Sequence, residues 1–185
     1  MMRSVLFALT LCAAPVSAAC PPTPDITGAV DALLQRVQSV ETEAEARQIS
    51  ALLWAEWTRA PDETAQALLD DGMARRAAFD LVGAVNAFDA LIDYCPTYAE
   101  GYNQRAFANF LAARYEAALP DLDRAIALNP RHVAAISGKG LTLISMGRVA
   151  EGQAVIRQAL ALNPWLSERR FLDLPVAPDQ GGVEL

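Results

Sequence analysis

Histidine, lysine and cysteine are scarce in this 185-residue chain: one His, three Cys and a single lysine, Lys139, among 15 basic residues set against 22 acidic ones. One imidazole and a few scattered thiols are too few for a zinc site, so no metal is expected. A formal charge of -7 runs against phosphate neutralisation, and a nucleic-acid partner is excluded on that ground. The motifs that place phosphates, nucleophiles or metals are also missing, since no G-x-x-x-x-G-K-S/T, G-x-S-x-G, C-x-x-C or H-E-x-x-H occurs. The chain reads as non-enzymatic and in need of no cofactor. What it has in abundance is apolar residues, 53% of the total, enough for a substantial core.

Residues 1–19 read as a signal peptide. Arg3 precedes the apolar run from Val5 to Ala14, and the small residues Ser17, Ala18 and Ala19 follow. That run is too short to span a membrane, and no later segment is long enough to do so. A periplasmic or secreted protein is expected, with Cys20 and Cys95 as the thiols left after cleavage. In an oxidising compartment they pair as a disulfide, closing a loop of about 75 residues with a stabilisation of about 4 kcal/mol on the chain-entropy model. The alternative is that Cys20 is lipidated, which makes the protein a membrane-anchored lipoprotein of the outer membrane; only then does the chain meet a membrane.

Internal repetition is the strongest signal. Pro96, Pro130 and Pro164 are 34 residues apart, and the same stride pairs Gly72 with Ala106 and Gly140, Ala84 with Ala118 and Gly152, and Phe88 with Leu122 and Ile156. Small residues meet small and large apolar meet large, which is the pattern of helix pairs that cross closely and stack. The stretch from Ala99 to Pro130 resembles the tetratricopeptide repeat almost position by position. The resemblance implies an all-α solenoid of three repeats, 65–98, 99–132 and 133–166, each an antiparallel helix pair. Arg105 and Lys139 stand where the family has Leu, Ala113 where it often has Gly, and Gly152 where it has Ala.

Outside the repeats, a short segment, 20–24, precedes residues 25–60, which read as a degenerate helical hairpin. Asp25 caps its first helix, and Thr42 with Glu45 forms a capping box for the second. This hairpin is expected to pack on the first repeat as a cap. Residues 167–174 read as a short C-terminal capping helix and 175–185 as a mobile tail. Thr97 and Glu100 read as a capping box opening the middle repeat. Pro120 predicts a bend or a late helix start, Arg105 and Asp121 a cross-helix ion pair, Trp54 and Trp57 core positions, and His132 a surface or helix-start residue.

The resemblance also implies a function, a protein–protein interaction module whose concave groove holds a peptide segment. Carried onto this chain, the groove positions include Leu69, Met73, Arg76, Asn103, Phe107, Phe110, Ser137, Leu141 and Ile144. Only Arg76 and Asn103 remain of the Lys/Arg/Asn set with which some family members clamp a terminal carboxylate. The expected partner is therefore an apolar or amphipathic segment of another envelope protein, with Phe107 and Phe110 as anchors and Asn103 on its backbone. Against this stands the reading that the N-terminal hairpin or the tail fills the groove.

Overall fold

The computed structural model describes residues 19–176; the expected signal peptide (but for its last residue) and all but the first two residues of the expected tail lie outside them. Among the described residues there is no strand. Eight α-helices run in order: α1 (Thr27–Val37), α2 (Glu43–Trp57), α3 (Glu63–Ala77), α4 (Leu81–Tyr94), α5 (Ala99–Leu111), α6 (Tyr115–Leu128), α7 (Val133–Ser145) and α8 (Val149–Leu162). A 3-10 helix, Ser167–Asp173, follows. None of them is long and apolar enough to cross a membrane.

Helices α3 to α8 form three successive hairpins, each packed on the next. Directly touching first helices, α3 on α5 and α5 on α7, line the inner face of the stack. The 34-residue stride is visible in the backbone. Phe79, Ala113 and Gly147 have φ of 63°, 55° and 80°, each in the turn between the two helices of its repeat. Just beyond each, a backbone N–H reaches back to the closing helix, from Asp80 to Arg75, Arg114 to Asn109 and Arg148 to Leu143, all at 2.9 Å. This left-handed closure is why glycine is favoured at Ala113, and a residue with a Cβ there costs about 1 kcal/mol.

Side-chain size sets how closely the helices approach. Phe88, Leu122 and Ile156 are buried on the second helices, facing Gly72, Ala106 and Gly140 on the first. In the third repeat the approach is closest, for a Cβ built on Gly152 would lie 2.6 Å from the Gly140 carbonyl oxygen. Between repeats, Arg105 is clamped by Asp121 at 2.8 and 2.6 Å and by Asp89 at 2.5 Å, joining α4, α5 and α6. The hydrogen bonds it donates to Asp121 hold its guanidinium pKa well above the ordinary value.

The helix expected through Pro120 is found, without a late start, and one capping box is corrected. Helix α6 starts at Tyr115 and runs through Pro120, so the proline does not delay it; the Glu116 carbonyl that loses its donor lies on an exposed surface. The Thr97–Glu100 capping box does not form, because Thr97 engages Thr23 and Glu100 is turned inward. The second box forms in its N-cap half, with Glu45 N–H donating to Thr42 Oγ1 at 3.3 Å, while the Thr42 hydroxyl donates to Glu45 Oε2 at 2.9 Å.

The larger correction concerns α1 and α2. They do not cap the first repeat. Val30, Leu34, Val37, Ile49, Leu53 and Trp57 form one core with Val133, Ile136 and Ala159 of the third repeat, and Trp165 and Leu166 pack on it. The ends are pinned by Asp31–Arg131 at 2.6 Å and by Gln38 donating to the Leu162 carbonyl at 3.4 Å. The physical reason is apolar area: α3 exposes Ala67, Asp71, Ala74 and Arg75, with little to bury, whereas α7 and α8 present Val133, Ile136, Val155 and Leu162. Upstream, Cys20 and Cys95 are joined by a disulfide, with Cα atoms 5.2 Å apart, which ties the segment before α1 to the end of α4.

Two glycines give a paired test of this packing. Gly152→Ala gains helix propensity but drives a methyl into a backbone carbonyl, and it is expected to lower stability by about 1–2 kcal/mol in urea titration. Gly28→Ala in α1, with nothing within 4 Å of the new methyl, is expected to raise it by about 0.5 kcal/mol.

Candidate functional site

Helix α2 crosses the inner face of the stack at the N-terminal ends of α5 and α7. There Trp57 stacks on His132, ring centroids 4.4 Å apart and planes 17° apart. The Tyr98 hydroxyl donates to the Trp57 carbonyl at 2.9 Å, and Asn163 reaches Ser50 at 3.4 Å. The arrangement is that of an amphipathic helix laid in a groove, supplied by the chain itself.

Beneath it lies a buried polar network centred on Glu100, 1% exposed. Its carboxylate accepts from Asn103 Nδ2 at 3.1 and 3.2 Å, from Gln104 Nε2, and from His132 Nε2 at 2.6 Å. His132 Nδ1 accepts the Ala135 N–H at 3.2 Å, capping α7, so the proton of the neutral ring sits on Nε2, facing Glu100. His132 is a helix-start residue but not a surface one, being fully buried. Among the described residues no serine or cysteine is hydrogen-bonded to the pair, and the His132 ring seats Trp57 of α2.

The C-terminal halves of α5 and α7 stay uncovered. They enclose a pocket of about 200 Å³ with Phe107, Phe110, Leu141 and Gly138 on its walls, Leu122 at its base, Trp54 of α2 on one side and Glu168 of the 3-10 helix on another. Phe107 is 42% exposed, and the Arg76 guanidinium stands 4.4 Å from its ring centroid. Burial without a hydrogen-bonded carboxylate lowers the Arg76 pKa, the charge of Glu100 partly opposing this.

The nine residues expected in the groove divide. Asn103, Phe107, Phe110, Ser137 and Leu141 line the pocket; Met73 and Arg76 are half-buried beside α5. Leu69 is fully buried with Phe88 and Leu91, so it belongs to the core of the first repeat. Ile144 packs against Gly152 inside the third repeat. Asn103 does not offer its amide nitrogen to a backbone, because that group is committed to Glu100. Trp54, Gly138, Thr142 and Glu168 were not anticipated as pocket residues. The small side chains of Ala134 and Gly138, one helical turn apart on α7, are the signal that marks a hollow there.

No family model matches the chain. Over 91 residues it is 32% identical to a tetratricopeptide-repeat-containing protein of Rhizobium etli, an alignment covering 49% of this chain and 39% of that protein. Over 64 residues it is 41% identical to a tetratricopeptide repeat protein 36 homolog of Nematostella vectensis, covering 35% of each. Among solved structures, the TPR2B domain of yeast Sti1 in complex with an Hsp70 peptide superposes with a TM-score of 0.54 at 26% identity, over 60% of this chain and 92% of that one. The three hairpins form a solenoid of tetratricopeptide repeats. The chain spans well under half the length of these two relatives. Across the groove of this solenoid the chain lays its own helix α2.

Tyr98 ties that helix to titration. Burial, then the charges of Glu100 and Asp70, push its phenol pKa far above the ordinary 10.0. Above about pH 10 the unfolded chain releases this proton and the folded chain keeps it, so the unfolded state binds fewer protons and stability falls as pH rises. Tyr98→Phe is expected to lose about 1 kcal/mol at neutral pH, through the orphaned Trp57 carbonyl, yet to show a shallower alkaline decline. Urea midpoints at about pH 8 and about pH 11 measure both.

Proposed function

We propose that this protein is a non-enzymatic adaptor of the cell envelope, which holds an apolar or amphipathic segment of a partner protein at the pocket between the second and third repeats. The observation that carries this reading is the pocket itself: a concave, apolar hollow left open on a face whose other half is filled, with Phe107 and Phe110 held at its mouth. The complex of the Sti1 TPR2B domain with an Hsp70 peptide lends support, since a similar stack binds a peptide partner. The partner here differs, because Leu69, Asn103 and Ile144 are committed inside the fold and the terminal-carboxylate set is incomplete.

Export is supported by the charged, apolar and small-residue order of residues 1–19 and by the pairing of Cys20 with Cys95, a bond kept in oxidising compartments. A sulfur bonded to Cys95 is not free to carry a lipid, which favours a periplasmic or secreted form over the anchored one. The intact mass of the exported protein is expected to lack acyl chains and to rise by two hydrogens on reduction. A mass carrying acyl chains on Cys20 would replace the adaptor by the lipid-anchored outer-membrane component.

For the binding site, the immobilised protein is challenged with a displayed library of random twelve-residue peptides. Pocket-dependent sequences are expected to be recovered, and Phe107→Ala with Phe110→Ala to lower their recovery about thirtyfold, the loss of a 2 kcal/mol hot spot, with the helical circular dichroism unchanged. Equal recovery on the folded double variant overturns the reading.

A further inference from the structure

The charges around the pocket are unevenly satisfied. Lys139, next to Gly138, is paired with Asp123 at 2.6 Å, and the carboxylates of Asp89 and Asp121 are taken by Arg105. Glu168 is different. It lines the pocket, is half-buried, and among the described residues has no cation within 4 Å; its one hydrogen bond is the weak donation from Ser167 Oγ at 3.3 Å. A half-buried carboxylate at the edge of an apolar pocket is less fully hydrated than one in open water, and a partner cation restores part of what is lost.

A charge of opposite sign stands beside Phe107, outside the residues that line the pocket. Arg76 stands over Phe107 with no hydrogen-bonding acceptor, its Nε buried and unpartnered. An entering cation is repelled on the Phe107 side and drawn towards Glu168. The chain as a whole, at -7, favours the approach of a basic segment.

Resting on the peptide-groove reading, we infer that the occupant is a partner segment presenting one large apolar side chain beside a lysine or arginine, the apolar group filling the 200 Å³ pocket and the cation meeting Glu168. Glu168 is thereby a specificity residue. It selects among apolar segments by the charge next to the anchor, whereas Phe107, Phe110 and Leu141 accept the anchor itself.

The test uses the same displayed random library on three full-length proteins: the natural one, Glu168→Lys and Glu168→Gln, each checked for unchanged helical circular dichroism. Sequences recovered on the natural protein are expected to carry Lys or Arg next to a Leu, Met or Phe. Glu168→Lys is expected to turn that preference to Asp or Glu. Synthetic peptides made from the natural set are expected to bind Glu168→Gln about fivefold more weakly, and the difference to shrink with added salt. Should Glu168→Lys fold poorly, the neutral variant alone carries the comparison. Recovery of apolar-anchored peptides with no charge preference, the same on all three proteins, overturns this inference and leaves the groove reading standing. Recovery that does not depend on Phe107 and Phe110 overturns the groove reading and this inference with it.

Discussion

A pair of antiparallel helices hides only one side of each from water, and the other side must be covered by something else. In this chain the constraint is met three times in series, α3–α4 on α5–α6 on α7–α8, and the end of the series is covered by the 3-10 helix, which begins at the residue where a fourth repeat would start. Gln153 of α8 fixes that cover, its Nε2 donating to the carbonyls of Phe171, Leu172 and Leu174 at 2.9–3.1 Å. The inner face poses the same demand, and α2 answers half of it. Everything distinctive about the site follows from which half. Where α2 lies, Trp57, Tyr98 and His132 close the groove; where it does not, Phe107, Phe110 and Leu141 remain within reach of a partner.

Glu100 determines that boundary. A carboxylate 1% exposed is costly to desolvate, and it is tolerated because three donors converge on it from Asn103, Gln104 and His132. His132 in turn presents a flat face to Trp57 and caps α7 with its other nitrogen. One buried acid thus couples the second repeat, the third repeat and the groove helix, and a change at Glu100 is felt by all three.

The stacked hairpins were legible in the sequence because their determinants are local and periodic: the stride of the prolines and the small residue facing each of Phe88, Leu122 and Ile156. The docking of α1–α2 was not, since amphipathic spacing shows that a helix has an apolar face without saying what covers it. Glu100 illustrates the same limit. Its distance from Thr97 spells a capping box, and nothing local shows that a histidine 32 residues on, together with two amides, makes a better set of partners. The site was legible in part. Phe107, Phe110, Ser137 and Leu141 were reached through family positions, but Trp54 reads as core and Glu168 as helix cap, and only the tertiary arrangement brings them to one pocket.

A pocket of this size also limits how tightly a partner is held. Burying one Leu or Phe side chain contributes about 2–3 kcal/mol, a partly screened ion pair about 1, and one or two rim hydrogen bonds about 1 each. Those terms amount to about 4–6 kcal/mol before the cost of ordering the segment, which corresponds to a Kd no tighter than the order of 10⁻⁴ M. An open three-repeat groove would engage a longer segment and hold it more tightly, but α2 has taken that area. The fold therefore suits a partner that is locally concentrated, by attachment to a larger complex or by several copies of the same segment, because effective concentration then makes up the affinity that one anchor lacks.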